Sequence, residues 1–166
     1  MQSREISIWS NRLSNAFEAA TGRPSETELA DAPTLTGWMI ERPSDSKPWL
    51  YGWFISHPGV VDGDHGHTAP LVEMDKSDPP TWARTESRVF RLGAWYPPAE
   101  REIRYWCQKL RQRDNLPFEG IPGGGDDVEK MIDFIREKKP FREQKLARMV
   151  SAYREERAKA VRAVDG

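Results

Sequence analysis

The sequence predicts an α+β fold with an N-terminal helix, a four-stranded mostly antiparallel sheet and three C-terminal helices. Two observations lead to this prediction. Apolar residues recur at helical spacing near the start of the chain and again after residue 97, whereas between residues 34 and 93 they alternate with a period of two. Strands and helices therefore occupy separate stretches of chain, which is typical of α+β proteins rather than of parallel α/β proteins.

The composition fits one domain with its own hydrophobic core. We treat residues 1–166 as a single domain made of a helix over 1–22, an antiparallel sheet over 34–93 and a helical half over 98–163. The net charge of −1 gives the chain no overall attraction to nucleic acid or to a membrane surface. The single cysteine, Cys107, cannot form an internal disulfide, and no apolar run has the length of a signal peptide or a membrane span, so we expect a cytoplasmic protein.

The N-terminal helix is predicted from a stripe of apolar residues on one helical face. Gly22 and Pro24 then provide a stop signal for this helix. A polar connector follows, in which one further turn of helix is predicted over residues 26–30. The apolar stripe consists of Ile6, Trp9, Leu13, Ala16, Phe17 and Ala20.

Four strands are predicted in the middle of the chain, because apolar and polar residues alternate there. The second strand is apolar on both faces, which is typical of a strand that is covered on both sides. Two of the connectors are short and carry the Pro, Ser and Asp residues of turns, so an antiparallel meander is the simplest topology. The four predicted strands span residues 34–41, 49–56, 68–75 and 82–92.

Three helices are predicted after Gly93, where the period changes to that of a helix, and at least some of them should cover one face of the sheet. Pro98 is placed for the first turn of the first helix. Asp126, with Glu129 three residues later, resembles a capping box and marks the start of the second. The apolar stripes are Ile103, Trp106, Cys107 and Leu110, then Val128, Met131, Ile132 and Ile135, then Leu146, Met149, Val150 and Tyr153.

The last predicted strand has an unusual face. Side chains two positions apart on a strand point the same way, so Arg84, Glu86 and Arg88 form a charged ladder beside Trp82. Each guanidinium there needs a partner or water. We expect Glu86 to pair with one arginine and the other arginine to face a partner protein, because tryptophan and arginine dominate binding hot spots. His57, in the preceding long loop, is expected to belong to the same surface.

Metal-ligating side chains cluster only in residues 57–67, which contain His57, His65 and His67. A calcium loop is excluded, since the residue at its sixth position is His67 rather than glycine. A zinc, iron or nickel site needs a further ligand, and none is identifiable. We therefore expect a polar loop without a metal ion, and we expect no other cofactor.

The most basic stretch covers residues 136–148, with six basic and two acidic residues. Such a run is a candidate contact for a phosphate backbone, but a solvated helix face is the usual explanation, and the near-neutral net charge supports that explanation. The glycines at 123–125 do not form a phosphate loop, because Asp126 and Asp127 follow them in place of the lysine and hydroxyl residue. The candidate nucleic-acid contacts are Lys138, Lys139, Arg142, Lys145 and Arg148.

Residues 35–93 carry a pattern of aromatic, histidine and arginine motifs. The pattern consists of Gly52-Trp53, His57-Pro58-Gly59, Thr68, Trp82-Ala83-Arg84-Thr85, Ser87-Arg88, Phe90 and Leu92-Gly93. It resembles a family of short uncharacterised bacterial and prophage proteins, which usually has Ser where this chain has Ala69 and Tyr where it has Phe90. The resemblance implies an origin in a phage or mobile element and transfers no activity.

The sequence favours a non-enzymatic protein that binds another protein as a regulator or inhibitor. No catalytic residue is identifiable, since Cys107 occupies an apolar helix position and no serine lies in a nucleophile elbow. Two alternatives stay open. One is a nucleic-acid-binding accessory protein that uses the basic C-terminal helices, and the other is a metal-dependent enzyme built on the histidine loop.

Overall fold

The protein was analysed as a computed structural model that describes residues 22–116 and 127–165. The helix predicted over residues 1–22, apart from its last residue, and the predicted start of a helix at Asp126 lie outside the described residues. The described elements are α1 (Glu26–Asp31), β1 (Thr34–Glu41), β2 (Trp49–Ile55), β3 (His65–Met74), β4 (Trp82–Thr85), β5 (Val89–Leu92), α2 (Pro98–Arg113), α3 (Val128–Lys138) and α4 (Glu143–Asp165).

The sheet is a closed barrel of five strands in the order β1-β2-β3-β4-β5. Each strand pairs antiparallel with the next, and β5 closes the barrel by pairing parallel with β1, with Thr34 opposite Arg91 and Leu35 opposite Leu92. The prediction of an α+β fold is therefore confirmed. The prediction of four strands is wrong, since a fifth strand is present and the sheet is mixed and closed.

The fifth strand arises because the segment predicted as one strand over residues 82–92 reverses direction. Thr85 causes the reversal: its backbone N–H donates to Arg88 O at 2.9 Å, and its hydroxyl accepts from Arg88 N at 3.2 Å. Arg84 consequently lies opposite Val89 in a hairpin. The ladder of Arg84, Glu86 and Arg88 on one strand face does not exist, because Glu86 belongs to the turn.

The barrel interior is filled by alternate residues of its strands. On β2, Leu50 and Phe54 point inward, whereas Trp53 is fully buried on the outside, beneath α2. On β1 a bulge between Thr36 and Met39 shifts the alternation. The inner cluster contains Leu35, Trp38, Leu50, Phe54, Ala83, Phe90 and Leu92.

Gly37 makes this bulge possible. Its φ of +60° is in the left-handed region, and a Cβ at this position would overlap the ring of Trp53. The N–H of Gly37 donates to Ala94 O at 2.7 Å, outside the ladder with β2. The carbonyl groups of the bulge point toward α2, which satisfies them.

Helix α2 is attached to the barrel by two buried polar side chains. The guanidinium of Arg101 donates to Gly37 O at 3.0 Å, to Trp38 O at 3.1 Å and to Tyr96 O. Gln108 accepts a hydrogen bond from Trp53 Nε1 and donates to the carbonyl of Gly63. These contacts fix both the position and the rotation of α2 on the outer barrel wall.

The three C-terminal helices share a second hydrophobic core. Its buried residues follow the predicted stripes, so the prediction of three helices here is confirmed. Asp127 caps α3 by accepting from Glu129 N and Lys130 N. The start of α2 is capped by Glu156 of α4, which accepts from Ala99 N at 3.0 Å and Glu100 N at 3.1 Å. None of the described helices has the length and hydrophobicity needed to cross a bilayer.

Replacing Arg101 by Ala should lower the free energy of unfolding by about 3–5 kcal/mol, because three carbonyl oxygens lose a charged donor. Arg136→Ala is the matched control, since that side chain is 53% exposed and its ion pair with Asp133 should contribute under about 1 kcal/mol. Urea denaturation of the two variants measures both values. A loss below about 1 kcal/mol for Arg101→Ala would show that the attachment of α2 does not depend on this side chain.

Candidate binding cleft

A cleft of about 450 Å³ lies where the first turns of α2 cross the outer face of the barrel. Strand β1 contributes a methionine, β2 a tyrosine and β3 a histidine, and α2 contributes the opposite wall. Aromatic and apolar groups dominate this lining, as is typical of ligand and partner sites. The lining residues are Met39, Tyr51, His65, Pro98, Arg101, Glu102 and Tyr105.

The strand register brings the rings of the cleft together. Trp53 lies opposite His65 in the β2–β3 pair, so the outward aromatic residues of β2 meet the start of β3. The ring centroid of His65 lies 4.6 Å from that of Tyr51, 4.8 Å from that of Trp53 and 5.2 Å from that of Tyr105. All three pairs meet edge to face, the arrangement that aromatic quadrupoles favour.

These rings continue into a longer series that we call the aromatic row. Tyr105 contacts Trp106 at 5.7 Å, and Trp106 contacts Phe141 at 5.2 Å between centroids. Lys109 Nζ lies 5.5 Å from the Tyr105 ring, and Lys145 Nζ lies 4.8 Å from the Trp106 ring. The aromatic row consists of Tyr51, His65, Tyr105, Trp106 and Phe141.

His65 is held in its neutral form. Burial, and after it the positive charges of Lys109 and Arg101, lower its pKa to about 4. Its Nε2 atom is buried and has no hydrogen-bond partner among the described residues. The ring therefore acts at neutral pH as an uncharged aromatic wall of the cleft.

Two charged residues adjoin each other in the cleft and differ in their environment. Arg101 is 5% exposed, and three backbone carbonyls occupy its guanidinium. Glu102 is exposed and forms no ion pair or hydrogen bond within the described part of the chain. The charge that the cleft offers to a ligand is therefore a carboxylate.

The surface predicted around the β4–β5 segment is partly buried. Trp82 and Arg84 are 5% and 6% exposed. Arg84 Nη2 lies 3.8 Å from Glu28 of α1, and Glu86 accepts a hydrogen bond from Lys47 at 2.8 Å. The expected pairing of Glu86 with an arginine is thus wrong, because the turn points its carboxylate toward the β1–β2 connection.

The exposed part of that predicted surface is smaller. Glu86 is exposed, and Arg88 and His57 are half-buried. The His57 ring covers the barrel core at 5.4 Å from Phe54 and 6.0 Å from Phe90. Burial and, secondly, the charge of Arg88 lower the pKa of His57. A binding role for these three residues stays a prediction.

The three histidines do not converge. His57 packs against Phe54, His65 lies in the cleft, and His67 stacks on Trp49 at 4.8 Å. His65 and His67 belong to β3 rather than to the predicted polar loop, because they pair with the aromatic side of β2. Within residues 22–116 and 127–165, no group of three His, Cys, Asp or Glu side chains could hold a metal ion.

The predicted nucleic-acid residues are spread over the end of α3 and the start of α4. Lys138 pairs with Asp114 at 2.8 Å, and Lys139 ends α3 in the left-handed conformation. Lys145 lies over the rings of the aromatic row, whereas Arg142 and Arg148 are exposed. Of the five, Lys145 alone has a described contact with rings of the aromatic row.

Of the residues that line the cleft, the sequence pattern marks only His65, as a possible metal ligand. Tyr51 belongs to the second predicted strand, and no binding role is predicted for Glu102 or Tyr105. Glu102 and Tyr105 are three residues apart on one face of α2, and this spacing is the only sequence signal that links them. Their position opposite β2 depends on the attachment of α2 by Arg101, which no local pattern encodes.

A family model described as a family of unknown function (DUF6634) matches residues 3–107, nearly two-thirds of the chain. This range contains the whole barrel, the first ten residues of α2 and every residue that lines the cleft. The search of curated proteins and the search of solved structures each gave no match.

Protonation of His65 should destabilise the fold as the pH falls. Because the pKa of His65 is about 4 in the folded protein and near 6.5 in the unfolded chain, the unfolded chain binds the proton first. The free energy of unfolding should therefore fall between pH 7 and pH 5, by up to about 2 kcal/mol from this residue. His65→Phe keeps the ring and removes the titration, so urea denaturation at both pH values should give the variant a smaller difference. Equal differences in the two proteins would contradict the aromatic environment described for His65.

Proposed function

The chain belongs to the family of unknown function (DUF6634), and we propose that it is a non-enzymatic protein that binds another protein through the cleft between the barrel and α2. One observation carries this proposal: half-buried tyrosines from two different elements, Tyr51 and Tyr105, meet around His65 at the edge of an open cleft. Tyrosine provides a large and rigid contact area with a polar tip, which is why it is common at protein interfaces.

The charge distribution also favours a protein partner. The whole chain carries a charge of −1, and the charged group free to interact in the cleft is the carboxylate of Glu102. A polyanion would be repelled there. A protein surface can provide a complementary charge together with apolar side chains.

Cys107 and His65, two side chains that could react, both lie in structural environments. The Cys107 thiol is buried in the helical core, and burial raises its pKa, so the thiolate is disfavoured. His65 is shielded on three sides by aromatic rings and stays neutral. Neither residue is positioned as a nucleophile or a general base, which supports a binding role.

A regulator or inhibitor is the form of this function that we favour. The resemblance of residues 35–93 to short bacterial and prophage proteins agrees with that role, since such proteins often act by occupying a host protein. The single, buried cysteine agrees with a cytoplasmic location.

Affinity capture with two matched baits tests the proposal. Tyr105→Ala removes one wall of the cleft and should weaken binding of the captured protein by about 2 kcal/mol, roughly thirtyfold. Arg88 belongs to the rival surface predicted from the sequence; if the cleft is the binding surface instead, Arg88→Ala in the β4–β5 turn should leave binding unchanged. Nuclease treatment of the lysate and a melting curve for each bait exclude bridging nucleic acid and unfolding. If binding is lost with Arg88→Ala and kept with Tyr105→Ala, the binding surface is the hairpin turn and the proposal is wrong.

The second candidate function is binding of single-stranded nucleic acid. The observation in its favour is that Lys109 and Lys145 lie over rings of the aromatic row, since stacking platforms bordered by cations are typical of single-strand binding. Bases would stack on the rings while the lysines contact the phosphates.

Fluorescence anisotropy with a labelled oligothymidylate separates the two functions. A protein-binding role predicts an affinity of about micromolar or weaker that disappears near physiological salt. Submicromolar binding at that salt, abolished by Lys109→Glu together with Lys145→Glu, would establish the nucleic-acid function instead. Lys130→Glu together with Lys159→Glu, at exposed positions on α3 and α4, makes the same change in net charge and is the matched control.

A further inference from the structure

We propose that the cleft recognises an arginine side chain of the partner, with the guanidinium stacked on a tyrosine ring and paired with Glu102. This inference rests on the proposed function and deepens it by naming the group that enters the cleft. Three features support it: the shape of the cleft, the unpaired carboxylate of Glu102 among the described residues, and the hydrogen bonds that already occupy Arg101.

The shape of the cleft suits a flat group on a flexible apolar stem. Its volume of about 450 Å³ lies between the Tyr51 and Tyr105 walls, with Met39 and Pro98 at the margins. Arginine buries its methylene stem against apolar surface and stacks its planar guanidinium on aromatic faces. A thioether and a proline ring provide that apolar surface.

The free charge in the cleft selects a cation. Glu102 is exposed and has no ion-pair partner within residues 22–116 and 127–165. A carboxylate accepts two parallel N–H bonds from a guanidinium, a geometry that a lysine ammonium cannot reproduce. Arginine is therefore favoured over lysine as well as over neutral side chains.

The basic groups near the cleft do not prepare it for an anion. The Nε and Nη2 donors of Arg101 are directed to backbone carbonyls, and Nη1 lies 3.4 Å from the sulfur of Met39. The first N–H groups of α2 are likewise occupied, by the carboxylate of Glu156. His65 is uncharged at neutral pH, as its pKa of about 4 requires.

Two described positive charges, those of Arg101 and Lys109, oppose an arginine ligand, and of the two Lys109 is the exposed one. Its Nζ lies 5.5 Å from the Tyr105 ring, and the residue is exposed. Solvent and salt screen such a charge, whereas Glu102 contacts the ligand directly. The balance at the binding position therefore favours a cation.

Titration of the full-length protein with blocked tripeptides tests the inference. The probes are Gly-Arg-Gly, the same peptide with citrulline, and the same peptide with lysine, followed by two-dimensional NMR. Citrulline has the shape of arginine without its charge. We expect the arginine peptide to bind with a Kd on the order of millimolar and to shift signals of the cleft residues, and both other peptides to bind at least fivefold more weakly.

Two variants separate the role of the carboxylate from a general charge effect. Glu102→Gln keeps the size of the side chain and should weaken binding of the arginine peptide at least fivefold. Glu137→Gln, an exposed glutamate on α3, makes the same change in net charge and should leave binding unchanged. Both substitutions affect exposed side chains, so both variants should melt like the parent.

Several results would overturn the inference: no saturable binding of the arginine peptide, equal binding of the citrulline peptide, or equal binding to Glu102→Gln. Shifts of the cleft signals by oligothymidylate at lower concentration than by the arginine peptide would also overturn it. The proposed function is tested independently by the Tyr105→Ala capture. If a captured partner requires Tyr105 but the cleft does not bind the arginine peptide, the proposed function stands and only the arginine specificity is wrong.

Discussion

The contact between Arg101 and the β1 bulge is the interaction on which the rest of the structure depends. The bulge exposes the carbonyls of Gly37 and Trp38, which would otherwise be buried without partners where α2 approaches the barrel. Arg101 satisfies both with one planar group, and it also binds Tyr96 O in the segment that leads into α2. Without this side chain, the carbonyl oxygens of Gly37, Trp38 and Tyr96 would lose a donor where the helix packs on the barrel.

This contact also connects the parts of the chain that hold two separate hydrophobic clusters. One cluster fills the barrel and the other lies among the three C-terminal helices. Arg101 and the Trp53–Gln108–Gly63 hydrogen bonds cross between them, so the connection is polar and directional rather than a continuous apolar core. The cleft lies at the edge of this polar connection between the barrel and α2.

The sequence predicted those features that have a local period and missed those that depend on distant partners. The bounds of β1 agree with the prediction, and the buried stripes of α2, α3 and α4 are the predicted ones. The parallel pairing of β5 with β1 joins residues more than fifty positions apart, and the capping of α2 by Glu156 does the same. The sequence did not predict that β3 begins at His65, because apolar and polar residues do not alternate at the start of this strand. Gly66 lies there, opposite Gly52 of β2.

The arginines show why the candidate site could not be read from the sequence. Arg84, Arg101 and Arg104 are 5–6% exposed, yet each lies in a segment that reads as polar surface. Arg104 packs over the Tyr96 ring at 4.1 Å, and Arg101 binds backbone carbonyls, so charge alone does not mark an arginine as functional. Burial and the identity of the acceptor make that distinction, and both appear only in the folded chain.

Adjacent positions on α2 illustrate how structure and recognition are divided. Successive residues of a helix are separated by about 100°, so Arg101 faces the barrel while Glu102 faces the cleft. The first residue fixes the helix, and the helix backbone places the second in the cleft, where it forms no ion pair with another described residue. A carboxylate that is positioned by its backbone loses little further freedom on binding. The buried arginine thus places Glu102 in the cleft by fixing the helix that carries both residues.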